Sequence, residues 1–253
     1  MALLETHGLS KHFGGLAAVS NLDMTVAEGE IVGLIGPNGA GKTTCFNLLS
    51  GFLPPTHGTI FFQGENITGL KPHHIVQRGL VRTFQLTTLF QEITVLGNVL
   101  LGLHTHSRPG LRQILLSRQP FPHDEIIRAQ EVLAFTGLAR HAEQLAKNLP
   151  HGHQRILGIA MALATQPTLL LLDEPVTGMN AEESERVMSL VKTIRERGTT
   201  ILLVEHNMKA VMGTCERIVV LNFGQKLTEG TPLQVRDNPA VIEAYLGAGV
   251  EHA

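Results

Sequence analysis

The sequence predicts an α/β protein with a parallel sheet core, an antiparallel β subdomain and an inserted α-helical subdomain. Three observations carry this. Residues 30–35, 168–172 and 200–204 are short runs of mostly aliphatic residues, the pattern of strands buried on both faces. Helical periodicity follows them at residues 45–53 and 181–197, and strand, helix, strand in that order demands parallel pairing with right-handed crossovers. Between Gln85 and residue 159 the character changes to apolar segments of helical period separated by a link containing Pro, Gly and Arg.

Each element has a local reason. Residues 3–11 and 22–26 alternate loosely enough for short antiparallel strands, with Phe13-Gly14-Gly15 as the turn region. Residues 58–62 add another antiparallel piece, closed by Gln63-Gly64-Glu65-Asn66. A short helix over 72–79 and a strand over 80–84 precede Gln85. Asp124 and Glu125 open a helix that ends at Gly137, and a second helix is expected from about Gln154 to Thr165. A hairpin around Asn222-Phe223-Gly224 and a terminal helix over 239–246 complete the chain.

Composition narrows the function classes. The 253 residues are 43% hydrophobic but only 4% aromatic, with no tryptophan and one tyrosine, which argues against stacking platforms for single-stranded nucleic acid. A formal net charge of -2 offers no bulk basic field for DNA, so no nucleic-acid partner is expected. Two cysteines, Cys45 and Cys215, make no disulfide framework, and no run of eighteen apolar residues occurs. The expectation is a cytoplasmic chain that spans no membrane.

The chemistry centres on Gly36-Pro37-Asn38-Gly39-Ala40-Gly41-Lys42-Thr43-Thr44, which fits G-x-x-x-x-G-K-[ST] without a mismatch. A strand delivers the chain to a glycine loop whose backbone N–H groups converge on phosphate, and the following helix adds the positive end of its dipole. Lys42 is expected to reach the β- and γ-phosphates, and Thr43 to offer its hydroxyl to Mg²⁺. These residues predict a P-loop NTPase with a RecA-like sheet. Ligands of an open parallel sheet sit at the carboxyl ends of its strands, and Asp173-Glu174 and His206 fall at two further ends. Asp173 is placed to hold Mg²⁺, Glu174 to polarise an attacking water as general base, and His206 to sense the γ-phosphate. Cys45, in the first turn beside the loop, has the buried small hydrophobe as its commoner role, but the helix N-terminus lowers a thiol pKa and alkylation is expected to be slowed by bound ATP.

In these motifs the chain resembles the nucleotide-binding subunit of ATP-binding cassette transporters, over essentially its whole length. The resemblance implies ATP and Mg²⁺ as cofactors, residues 1–85 and 160–253 as nucleotide-binding core, and residues 86–159 as the helical subdomain that carries the signature. It makes Gln85 the Q-loop residue, catalytic and a Mg²⁺ ligand, His206 the switch histidine and Phe13 the aromatic that stacks on adenine. The family's Leu-Ser-Gly-Gly-Gln signature aligns with Leu149-Pro150-His151-Gly152-His153. Pro150 lacks both the serine hydroxyl and an N–H, and His153 replaces glutamine, so the N–H groups of His151 and Gly152 are left to meet phosphate and hydrolysis is expected to be retuned. Asn180 stands where the family has an aspartate.

The resemblance further implies a dimer, with the signature of a second ATP-binding subunit, identical or a paralogue, closing over each nucleotide. It implies integral membrane permeases as partners, a periplasmic binding protein indirectly, and a place on the cytoplasmic face of the inner membrane. Residues 82–85, Leu89-Phe90 and the stretch from Gly230 to Leu246 look most like branched-chain amino acid importer subunits. Cassettes for urea or lipopolysaccharide, a soluble repair or translation ATPase, and a small-molecule kinase are the alternatives. Leu86, Leu89, Phe90, Ile93, Val95 and Leu96 read either as core or as a groove for a permease helix. The pairs His104 with His106 and His151 with His153 have no third ligand at suitable spacing, so no structural metal is expected.

Overall fold

The computed structural model describes residues 2–83, 89–103 and 121–247. The chain divides into two compact units, Met1–Leu80 with Thr168–Ala253, and Val81–Pro167.

The first unit opens with two twelve-residue strands, β1 (Ala2–Phe13) and β2 (Leu16–Ala27). They are longer than their sequence pattern predicts. Gly14-Gly15 closes a two-residue hairpin with Phe13 opposite Leu16, and irregular register and a left-handed Asn21 (φ 49°) blur the alternation of residues 16–21. β4 (His57–Phe62) and the short β5 (Glu65–Asn66) complete an antiparallel sheet of order β2-β1-β4-β5.

The second sheet has the order β10-β9-β3-β8-β7-β6, where β3 is Ile31–Ile35, β6 Leu80–Arg82, β7 Leu169–Asp173, β8 Thr200–Val204, β9 Arg217–Asn222 and β10 Gln225–Gly230. Strands β7, β8, β3 and β9 pair in parallel, and every residue of β3, β7 and β8 is buried. Burial on both faces is why these strands read as continuous aliphatic runs. Register fixes what their ends present: Leu34 lies opposite Val204, and Val204 opposite Asp173. The residues that follow β3, β7 and β8 therefore emerge together on one edge of the sheet.

Helix α1 (Lys42–Leu49) buries Cys45, Phe46, Leu48 and Leu49 in a core shared with Leu4, Phe62, Leu169 and Leu221. A short α2 (Pro72–Gln77) starts with proline, whose fixed φ suits a first helical position.

The second unit holds α3 (Val95–Leu103), α4 (His123–Phe135) and α5 (His151–Ala164) around Val95, Val99, Leu133 and Leu157. Fully buried Asn98 ties the preceding loop to α3: its amide donates to the carbonyls of Phe90 (3.1 Å) and Thr94 (3.0 Å), and its Oδ1 accepts from the Phe90 N–H. Helix α5 begins three residues earlier than its periodicity suggests. Pro150 cannot supply an N–H within a helix but serves as N-cap, its carbonyl accepting from the Gln154 N–H at 3.0 Å.

Beyond the second unit follow α6 (Ala181–Glu196), α7 (Met208–Thr214), α8 (Pro232–Arg236) and α9 (Pro239–Gly247). No described helix is long and apolar enough to cross a membrane.

At the opposite end of the sheet from the strand ends just described, Glu30 meets Arg217 through two hydrogen bonds of 2.7 and 2.8 Å. Burial alone would raise the Glu30 pKa, but the Arg217 hydrogen bonds, the Ala27 N–H and the Arg217 charge outweigh it and hold the carboxyl below its ordinary value. A depressed folded-state pKa contributes stability that is present above about pH 4.5 and lost as the pH falls through the folded value. We expect Glu30→Gln to lower the thermal midpoint at pH 7 and that difference to be smaller at pH 3, as read by circular dichroism melts. An equal difference at both pH values would contradict the ion-pair account.

Candidate functional site

The glycine loop bends on three positive φ angles: Gly36 (154°), Gly39 (78°) and Gly41 (98°), the last serving as N-cap of α1. Two of these glycines are also required by space. A Cβ on Gly36 would strike the Leu221 carbonyl, and one on Gly41 the Ala18 carbonyl. The loop is laced to its neighbours by backbone bonds. Gly224 N–H donates to the Ala40 carbonyl at 3.1 Å, and Ser20 N–H donates to the Gly224 carbonyl at 2.8 Å. The hairpin turn of β9 and β10 is thus stitched to the loop on one side and to β2 on the other.

Lys42 folds over the loop, its ammonium donating to the carbonyls of Gly36 (2.6 Å) and Pro37 (2.9 Å). Desolvation lowers its pKa below the ordinary lysine value, and the Glu174 carboxylate offsets part of that. That electrostatic interaction couples the end of β7 to the loop.

Asn38, Gly39, Ala40, Gly41, Lys42, Thr43, Thr44 and Glu174 line a cavity of about 480 Å³, together with Phe13, Leu16, Ala17, Ala18 and Phe223. The lining thus combines backbone N–H donors and a cation with apolar and aromatic side chains. Glu174 sits in the left-handed region (φ 48°), its N–H held by the Val204 carbonyl at 2.9 Å and its carboxylate accepting from the Thr177 hydroxyl at 3.1 Å. A non-glycine residue held there stores strain of order 1–3 kcal/mol, the kind of conformation that clusters at functional sites. The exposed His206 ring stands with Nδ1 3.9 Å from Glu174 Oε1. Asp173, one residue earlier on β7, is buried.

Glu205 had no signal of its own in the sequence. Its side chain is wholly buried, and its carboxylate accepts from the N–H groups of Val176 (2.9 Å), His206 (3.1 Å) and Asn207 (3.3 Å). One carboxylate thereby joins the turn after Glu174 to the turn that carries His206. Asn180, which stands in for an aspartate, caps α6: its Oδ1 accepts from the Glu183 N–H at 2.9 Å while the Glu183 carboxylate accepts from the Asn180 N–H at 3.2 Å. Asparagine does this as well as aspartate.

Other sequence expectations fall elsewhere. Gln85 lies outside the described residues. Pro150, His151, Gly152 and His153 open α5 in the second unit, where His151 is exposed, Gly152 is buried and His153 packs its ring on His141 at 5.1 Å. One expectation needs correction. Cys45 is fully buried, and desolvation pushes its thiol up to about 12, so the helix terminus does not make it reactive. Of the apolar stripe, Leu89 and Val95 belong to the core of the second unit, while Phe90 and Ile93 are exposed. Among the described residues no cluster of three metal-ligating His, Cys, Asp or Glu side chains occurs.

A phosphate-cradling loop at a parallel strand end, with a glutamate, a histidine and an aromatic beside it, defines a P-loop nucleotide triphosphatase. Comparison with known proteins narrows the class. The model of the ABC transporter family matches residues 19–177, and a second one, for branched-chain amino acid ATP-binding cassette transporters, matches residues 225–251. The high-affinity branched-chain amino acid transport ATP-binding protein LivG of Escherichia coli (strain K12) is 47% identical over 249 residues, which are 97% of this chain and 98% of that protein. The ADP conformation of MJ1267, an ATP-binding cassette of an ABC transporter, is similar with a TM-score of 0.89 and 30% identity, over 98% of this chain and 99% of that chain. A dimeric post-hydrolysis state of the cassette MJ0796, bound to ADP and Pi, gives 0.77 and 26% identity over 90% and 98%. The chain belongs to the ABC transporter family, as an ATP-binding subunit that hydrolyses ATP.

We expect Glu205→Ala to destabilise the protein by about 2–4 kcal/mol, because it strands N–H groups that its carboxylate now satisfies. Urea unfolding measures this, and a loss under about 0.5 kcal/mol would contradict the tie between the two turns.

Proposed function

We propose that this chain energises uptake of branched-chain amino acids by binding ATP with Mg²⁺ in the cavity between the glycine loop and Phe13. The observation that carries the reading is that cavity: it gathers the loop, Lys42, Glu174 and an aromatic wall in one place. The 47% identity to a branched-chain amino acid transport ATP-binding protein supports the substrate class.

In this reading the loop N–H groups and Lys42 hold the phosphates, and Lys42 gives up its carbonyl partners to do so. The donor set suits Mg²⁺, since the Thr43 hydroxyl and the Asp173 carboxylate are hard oxygen ligands and magnesium takes few of them beside phosphate and water. Gln85 would join them. Bound there, the ion would neutralise charge building on the phosphoryl oxygens. Glu174 takes the proton of the attacking water, and His206, beside it, orients toward the γ-phosphate. Pro150, His151, Gly152 and His153 act on the nucleotide of a second ATP-binding subunit, by the N–H groups and dipole of α5 and with no serine hydroxyl.

Among the described residues of the apolar stripe Phe90 and Ile93 are exposed, and they meet a helix of an integral membrane permease. The subunit then works on the cytoplasmic face of the membrane, and a periplasmic binding protein delivers the amino acid from the far side.

The test uses the complex with its permeases and binding protein in proteoliposomes supplied with ATP. We expect Glu174→Gln to bind ATP yet lose ATP hydrolysis and leucine uptake by at least about 100-fold, the scale of a lost general base. Ile93→Glu should bind ATP normally and lose uptake. Normal hydrolysis in Glu174→Gln would refute the assigned base, and leucine uptake that is ATP-independent would refute the function.

A further inference from the structure

Among the described residues Phe223 is the most exposed of the large apolar side chains, at 85%, although the turn that carries it is pinned in place. Its neighbour Gly224 is buried, with its N–H on the Ala40 carbonyl and its carbonyl on the Ser20 N–H. A Cβ on Gly224 would lie 2.9 Å from the Ala18 carbonyl, so the turn also sits hard against β2. Phe223 itself adopts φ 46°, a conformation that costs a bulky residue free energy and that asparagine or glycine would take more readily. An ordinary two-residue turn needs no aromatic there.

The place of that residue supplies the reason. Phe223 lines the same cavity as the glycine loop, together with Phe13, Leu16, Ala17 and Ala18. Phe13 is 48% exposed and carries the Lys11 ammonium 5.3 Å from its ring centroid. The cavity thus offers two accessible aromatic rings for one flat apolar group, a need that a triphosphate alone would not create.

We propose that Phe223 is a second base-contacting residue, which together with Phe13 holds the nucleobase while the loop holds the phosphates. The inference rests on the nucleotide site proposed above and adds a residue to it. Because Gly224 is bonded to Ala40, the base contact and the phosphate cradle share one backbone. A purine on Phe223 therefore steadies the turn that braces the loop.

The chain contains no tryptophan, so Phe223→Trp places a single fluorescent reporter at the site. With the full chain, we expect ATP to change that emission and inorganic tripolyphosphate, which has no base, to leave it unchanged. In Phe223→Ala, the Kd for ATP should rise roughly tenfold, within the range for base–aromatic stacking, while the Kd for tripolyphosphate stays at the wild-type value. An unchanged ATP Kd in Phe223→Ala, with wild type binding ATP normally, overturns the base contact and leaves the nucleotide site standing. Equal weakening of both ligands also overturns it, by making Phe223 a support for the loop. Wild-type protein that binds neither ligand would instead bring down the nucleotide site itself.

Discussion

Two backbone carbonyls, those of Leu221 and Ala18, press on the glycine loop so closely that Gly36 and Gly41 admit no side chain. This close approach is what the rest of the site depends on. The loop must expose its N–H groups to an anion, which means that neighbouring backbone, not its own side chains, must hold its shape. Strand β2 and the β9–β10 hairpin do so through Ala18, Leu221 and the Gly224 bonds. Two sheets of different construction, one antiparallel and one largely parallel, both press on this turn.

The parallel register supplies the second constraint. Leu34, Val204 and Asp173 stand side by side, so the loop, the Glu205-His206 turn and Glu174 leave the sheet at the same level. Nothing in the individual residues requires this. It follows from three five-residue strands of equal burial paired without a slip. Buried Glu205 then locks two of the three turns together, and the strained Glu174 backbone is held by the Val204 carbonyl and the Thr177 hydroxyl.

Much of this was legible in the sequence, for physical reasons. Uninterrupted aliphatic runs mark strands buried on both faces, and G-x-x-x-x-G-K-[ST] has few structural alternatives once acids and a histidine follow at later strand ends. What escaped was set by tertiary contact. Residues 16–21 lost their alternation to Asn21 and an exposed Leu16, so β2 read as half its length. Glu205 looked like a spacer before His206, because its three N–H partners come from two turns remote from each other in sequence. Cys45 carried a helix-terminus signal that its depth in the core overrides. Leu89 and Phe90 are adjacent in sequence, yet one is core and the other surface, a division that periodicity over a short loop cannot make.

The most direct test compares two glycines of the loop that differ in one respect. Gly41 and Gly39 both need positive φ, but a Cβ on Gly41 meets the Ala18 carbonyl whereas one on Gly39 meets nothing within 4 Å. Titration calorimetry of ATP binding to Gly41→Ala and Gly39→Ala, each verified as folded by circular dichroism, separates backbone freedom from the clamp. If the neighbouring strands hold the loop in shape, Gly41→Ala loses at least about tenfold more affinity than Gly39→Ala, the equivalent of about 1.4 kcal/mol. Equal losses in the two variants would contradict it.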